Sequence, residues 1–248
     1  MSNLSISMSN VLTSITPAIT DAAAGEVASN ISSPDHSLTY TSGLTASDFK
    51  VNYGAVNNIS YVGISGHTAA TTGTATVQLF DGVTLIDSVV ITRNHNIMFT
   101  FDERNFTSLE VVFVTAPSTA AMTVSFIAAG DYISIAGGEQ AGYKRNWLNR
   151  MSVQRTSSNL QSAPVAITRR SKPLKGNLTL PNELASFTVD AWQDLLDFTE
   201  VQPFFIREQD DKPESSYICY NAISSIASHG QTRTLNAVSL KFDLFNGV

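Results

Sequence analysis

"TATVQLFDGVTLIDSVVIT", residues 74–92, decides the fold class. In its first half Ala75, Val77 and Leu79 alternate with Thr74, Thr76 and Gln78, the period of two that turns one face of a strand to a core and the other to water. Asp81-Gly82 supplies turn chemistry, because glycine accepts the left-handed backbone that a tight hairpin connection requires. "VTLIDSVVIT" then returns, so the stretch predicts a β-hairpin.

The same period runs from residue 38 to 135. "NIMFTFD" alternates Ile97, Phe99 and Phe101 with Met98, Thr100 and Asp102. "SLEVVFVTA" reads as a more fully buried strand, and "MTVSFIAAGDYISI" adds two more. Strands recurring about every 8–12 residues, with no helical period between them, predict a β-sandwich. "AGGEQAGY", residues 136–143, marks a boundary, dividing the chain into a sandwich over 1–137 and a second β-rich unit over 138–248.

Beyond the boundary, "NRMSVQRTSS" and "PVAITRRSKPLKGNLTL" read as long polar strands of edge character, since Pro164 and Pro173 are tolerated only at edges or breaks. They predict a hairpin arm. "TVDAWQDLLDFTEV" predicts one helix over about 188–200. Thr188 can cap it, Asp190 suits its first turn, and Val189, Trp192, Leu195, Leu196 and Thr199 form one face at helical spacing. Pro203 stops it. "PFFIRE", "SYICYNAISSIAS" and "LNAVSLKFDLF" add strands, with Cys219 grouped by alternation with Tyr217 and Asn221 as a small packing residue.

The 248 residues carry a net charge of −6, but the charge is unevenly laid out. Residues 1–140 are net −8, residues 141–180 hold eight bases and no acid, and residues 181–248 are net −6. Arg150, Arg155, Arg169, Arg170, Lys172 and Lys175 in the basic zone are candidate inter-subunit contacts or the lining of a channel. Cations in such number can neutralise phosphates, yet the chain has a pI near 5.1 and no nucleic-acid recognition motif. The pattern favours an acidic protein surface, copies of the chain included, where opposed potentials set register and speed association.

A single cysteine excludes an intramolecular disulfide and thiolate metal sites. The N-terminal stretch has no basic residue and no uninterrupted apolar core, so neither an export signal nor a membrane anchor is expected, and synthesis is expected in a cytoplasm. The four histidines stand apart, with no H-x-x-x-H or H-E-x-x-H. There is no G-x-S-x-G and no P-loop, and Asp102-Glu103 and Asp210-Asp211 are sequence neighbours rather than opposed carboxylates. No catalytic residue, metal ligand or cofactor is expected. "RNHN", residues 93–96, gathers Arg93, Asn94 and His95, polar groups able to bind the hydroxyls of a carbohydrate on a scaffold of lectin size. Against this, residues 1–140 contain no tryptophan to stack on a sugar ring.

"ISYVGISGHTAATTGTATVQLFDG", residues 59–82, resembles the galactose-binding-like jelly-roll modules of long-tailed bacteriophage structural proteins, with Tyr61, Gly63, Ile64, Gly66 and His67 carrying the match. The second half is similar in layout to the ring-forming part of distal tail or tail-hub proteins: a long polar hairpin, a helix around Trp192, and a strand at Pro203, Phe204 and Phe205. Many distal tail proteins carry the ring domain first, whereas here the sandwich leads.

The resemblance implies a mainly β protein, an N-terminal jelly-roll-like sandwich followed by a β-rich ring-forming unit with a long hairpin and one α-helix. It implies a non-enzymatic virion subunit at the distal end of a tail, assembling with itself. Its expected partners are tail tube, tail tip or hub, and tape measure proteins, with DNA passing through the lumen without specific binding. The alternatives are a carbohydrate-binding attachment module that recognises a host surface glycan, and a capsid decoration or head-fibre protein.

Overall fold

The computed structural model describes residues 3–20, 23–35, 37–43, 48–115, 121–136, 144–145, 151–157, 164–171, 174–184, 191–228 and 235–245. The fold is mainly β with one helix, as the periodicity predicts. The first part is a jelly-roll-like sandwich of two antiparallel sheets. Its strands, in chain order, include β2 (Ala18–Ile19), β3 (Tyr40–Thr41), β4 (Asp48–Asn52), β5 (Val56–Ser65) and β6 (Ala75–Asp81). They continue with β7 (Thr84–Ile91), β8 (Ile97–Phe106), β9 (Leu109–Thr115), β10 (Thr123–Val124) and β11 (Phe126–Gly130). The outer sheet has the order β2-β4-β9-β6-β7, a three-stranded sheet, β11-β5-β8, faces it, and β3 pairs with β10 as a separate two-stranded sheet.

The hairpin at 74–92 forms with Ala75 opposite Ile91 and Asp81 opposite Thr84, so the turn residues are Gly82 and Val83. Gly82 takes φ +59, the conformation glycine is there to supply. Asp81 instead ties the next turn, its Oδ1 accepting the Thr107 N–H and the Thr107 hydroxyl, each at 2.8 Å. Between the two sheets Val51, Val77, Leu79, Val111 and Phe113 meet Val62, Ile64, Ile97, Phe99 and Ile127 in one apolar core.

Alternation has a second consequence in the three-stranded sheet. The residues between those core positions, Tyr61, Met98, Phe126 and Ala128, point away from the sandwich and are buried as well, against Phe205 and Ile218. The Phe126 and Phe205 rings lie nearly parallel, 6.0 Å apart. Gly63 shares that face, and a Cβ there would stand 2.5 Å from the Phe205 ring. A sheet covered on both faces is what the unbroken burial from Ser60 to Ser65 describes.

Phe205 belongs to a seven-stranded sheet assembled from distant segments. Its strands are β1 (Leu4–Ser7), β12 (Tyr132–Ile135), β13 (Lys144–Arg145), β16 (Leu174–Leu184), β17 (Phe204–Arg207), β18 (Ser216–Ser228) and β19 (Leu235–Phe245). The order is β12-β1-β17-β18-β19-β16-β13. The N-terminal strand therefore lies between two strands far away in sequence, Leu4 opposite Ile135 and Ile6 opposite Ile206. This sheet crosses the boundary expected at 137/138, because Tyr132–Ile135 leaves the sandwich to pair with residues 4–7. "MTVSFIAAGDYISI" is accordingly three short strands rather than two.

The other face of the seven-stranded sheet carries the helix, α1 (Ala191–Val201). Trp192, Leu195 and Leu196 pack with Phe204, Ile206, Cys219 and Leu240, and Thr199 is buried on the same face. The expected cap at Thr188, with Val189 and Asp190, lies outside the described residues. Tyr217 and Cys219 share this core as the alternation predicts. Asn221 does not: a register shift between Tyr220 and Ile223 leaves it exposed at φ +54. The molecule thus stacks outer sheet, three-stranded sheet, seven-stranded sheet and helix in turn.

The hairpin arm also forms. β14 (Met151–Ser157) pairs with β15 (Pro164–Ser171) as a two-stranded sheet separate from the larger ones. Val153 stands opposite Arg169, Ser152 opposite Arg170 and Arg155 opposite Ile167.

Candidate functional site

Arg93, Asn94 and His95 lie in the segment 92–96 that carries the chain from the outer sheet to the three-stranded sheet. Residues 66–74, between β5 and β6, make the same crossing in reverse, so the two loops are brought side by side at one end of the sandwich. Gly66 opens the first loop at φ +64, where a Cβ would also stand 2.5 Å from Ser125 Oγ.

Two side chains bind these loops into a frame. Asn94 Oδ1 accepts the Ala70 N–H at 2.9 Å, and its Nδ2 donates to Thr71 Oγ1 at 2.9 Å. His67, only 2% exposed, sets its Nε2 2.6 Å from the His95 carbonyl. A carbonyl only accepts, so Nε2 carries the proton. The ring lies 5.9 Å from that of Phe113, and Nδ1 has no partner among the described residues. Burial, only partly offset by the bond to the His95 carbonyl, pushes the His67 pKa down to about 4.

The frame is anchored beneath as well. Asn96 is fully buried; its Oδ1 accepts from the Ser65 hydroxyl at 2.9 Å and its Nδ2 donates to the Phe245 carbonyl at 2.6 Å. The Met98 N–H donates to the Pro213 carbonyl, and the Met98 carbonyl accepts from Arg207 Nη1 at 3.1 Å. Desolvation draws the Arg207 pKa below the usual guanidinium value. A line of hydrogen bonds therefore runs from the loop frame to the seven-stranded sheet.

On this frame Arg93, Thr71, Thr72 and Gly73 are exposed and His95 is half-buried. The three residues expected at a sugar site are together, with unequal roles: both polar atoms of Asn94 hold the frame, while the Arg93 side chain is open to solvent. Sequence reasoning missed His67 and Asn96 as frame residues. Their signal was position, polar residues at the ends of apolar strands with nowhere to go but inward.

Of the basic candidates, Lys175 is described in full. It stands opposite Asp243 and forms an ion pair with its Oδ1, while Asn221 Nδ2 donates to Oδ2 at 3.0 Å. Partial burial raises the Asp243 pKa, but these bonds and the Lys175 charge outweigh it and hold the carboxyl below its ordinary value. Arg155, Arg169 and Arg170 are placed on the arm by its register. Arg150 and Lys172 lie outside the described residues. Among the described residues no three His, Cys, Asp or Glu side chains cluster closely enough to hold a metal ion.

No family model and no curated protein matches the chain. Among solved structures, it is similar to the lectin domain of Lectinolysin complexed with Lewis B antigen, at 11% identity and a TM-score of 0.38, over 50% of this chain and 96% of that one. The family 32 carbohydrate-binding module of C. perfringens NanJ, in complex with galactose, is similar at 15% identity and 0.38, over 50% and 98%. Chitosan-binding module 1 from a Paenibacillus sp. IK-5 chitosanase/glucanase is similar at 14% and 0.38, over 49% and 98%.

Proposed function

We infer that the protein is a non-catalytic attachment module that binds carbohydrate at the loop end of its sandwich. The observation that carries this reading is the cross-bonded loop pair, which holds Arg93, His95, Thr71 and Thr72 on a preformed frame. A ligand rich in hydroxyls needs several hydrogen-bonding groups fixed in relative position, and a frame closed before binding lowers the ordering cost of association. Arg93 supplies a fork of N–H donors, His95 a ring nitrogen, and the threonines hydroxyls that both donate and accept. Asn94 acts through the frame rather than on the ligand.

The sugars named for the similar proteins choose the probes. A glycan array containing Lewis b, galactose and chitosan oligosaccharides tests the reading, followed by calorimetric titration of any hit. Saturable binding weakened at least tenfold by Arg93→Ala and by His95→Ala is the expected result. An empty array, or a hit indifferent to both substitutions, contradicts it.

A second reading, a ring-forming virion tail subunit, is favoured by one specific observation. The β14–β15 hairpin stands outside both larger sheets, within the stretch that carries eight bases and no acid. Two-stranded hairpins are marginal in water and gain stability against a partner. Native mass measurement in low and high salt tests it: salt-sensitive oligomers weakened by Arg169→Glu with Arg170→Glu support a ring, and a monomer throughout opposes it.

A further inference from the structure

We propose that His67 is a proton-released clamp on the loop frame, holding the carbohydrate-binding end closed when its ring is neutral and opening it when the ring takes a second proton. The inference rests on the reading of that end as the binding site and adds its regulation.

The clamp is geometric. The only described contact of the His67 ring with the 92–96 segment is the 2.6 Å bond from Nε2 to the His95 carbonyl, and it reaches across two loops that are 28 residues apart in sequence. A neutral ring has its proton on Nε2 and a bare lone pair on Nδ1, which suits a buried site offering Nδ1 no partner among the described residues. A second proton on Nδ1 creates a donor and a full charge where neither can be satisfied, a state that burial penalises heavily.

Among the described residues the surroundings supply no relief. From β9 the ring meets Phe113. The 92–96 segment brings Arg93 and His95, and the His95 charge opposes protonation of His67. Residues 66–74 carry no charged group, and the β10–β11 stretch beside Gly66 presents Thr123 and Ser125, both neutral. With no carboxylate beside it among the described residues, His67⁺ is accommodated by swinging out to water, which breaks the bond to His95 and leaves the described bonds of Asn94 to hold the segment that carries Arg93 against residues 66–74, a weakened frame that opens more often.

Linkage sets the size of the response. A ring in water titrates near 6.5 and the clamped ring near 4. The ratio of open to closed frame then rises about tenfold for each unit of pH lost between those values.

Amide hydrogen exchange on the full chain, followed residue by residue by NMR from pH 7.5 to 4 without ligand, tests the proposal. The Ala70 N–H reports the closed frame because it is bonded to Asn94, and the Val111 N–H in β9 reports global stability. The expected result is an Ala70 protection factor that falls about tenfold per pH unit below about 6.5 and lies well below that of Val111 at every pH, because the frame opens without global unfolding. His67→Gln, which keeps an N–H donor that does not titrate, should flatten the Ala70 profile. If that variant does not fold, the titration of the His67 ring in the wild-type chain, coincident with the loss at Ala70, is the second measurement. A flat wild-type profile overturns the clamp, as does an Ala70 protection factor that coincides with that of Val111 across the range, or an unchanged slope in His67→Gln. Because no sugar is present, failure here is distinct from failure of the carbohydrate reading.

Discussion

The sandwich and the seven-stranded sheet use the chain in opposite ways. The strands of the sandwich all come from one stretch of the chain, residues 18–130, with β6 and β7 as its local hairpin, and their alternating residues close a core between two sheets. The seven-stranded sheet gathers residues 4–7, 132–135, 144–145, 174–184, 204–207, 216–228 and 235–245, and its partners Ile6 and Ile206 stand 200 residues apart in the chain. The difference teaches where the two are joined. The three-stranded sheet serves both cores, Ile97 and Phe99 facing the sandwich and Met98 facing Phe205. The loop end of the sandwich is therefore braced by a sheet that local pattern alone does not reveal.

The largest effects should come from removing the aromatic side chains on either face of the seven-stranded sheet. Phe205→Ala and Trp192→Ala should each lower stability by ~3–5 kcal/mol in urea unfolding, with a single transition retained. Two separated transitions after Phe205→Ala would break the comparison by showing that the sandwich folds apart from the sheet. Next comes acid. His67 binds its proton more weakly folded than unfolded, so the unfolded chain takes up more protons between about 6.5 and 4, and stability falls as pH falls through that window. The loss should approach about 3 kcal/mol in the wild-type chain and vanish in His67→Gln, measured by urea titration at successive pH values.

Asn96→Ala should cost ~1–3 kcal/mol, because it leaves the buried Ser65 hydroxyl without its acceptor and the Phe245 carbonyl without its donor. It should also raise exchange at Ala70, linking the two regions. The smallest effect belongs to the exposed cation: Lys175→Ala should change stability by no more than about 1 kcal/mol and less in high salt, since its ammonium is largely open to solvent. A larger loss would mean that the edge of the seven-stranded sheet depends on charge.

What was legible in the sequence follows the same division. Residues 74–92, the strands to Thr115 and the helix face at Trp192 announce themselves because their periods are local. The placement of Leu4–Ser7 does not, since four residues carry little pattern and their partners are about 130 and 200 residues away. Asn221 was misplaced because a bulge resets the alternation, which no period can foresee. Within the site, Arg93, Asn94 and His95 were legible as a polar group. Asn94 turned out to hold the loops, and His67 beneath them was visible only as part of a resemblance.

Where a sugar lands on the molecule is the most direct test of the carbohydrate reading. A backbone-amide NMR titration of the full chain with the best glycan from the array should shift resonances within 66–74 and 92–96, with smaller changes at Phe245 through Asn96. Shifts centred on the β14–β15 arm or on the outer face of the five-stranded sheet, with the loop pair unmoved, would contradict it.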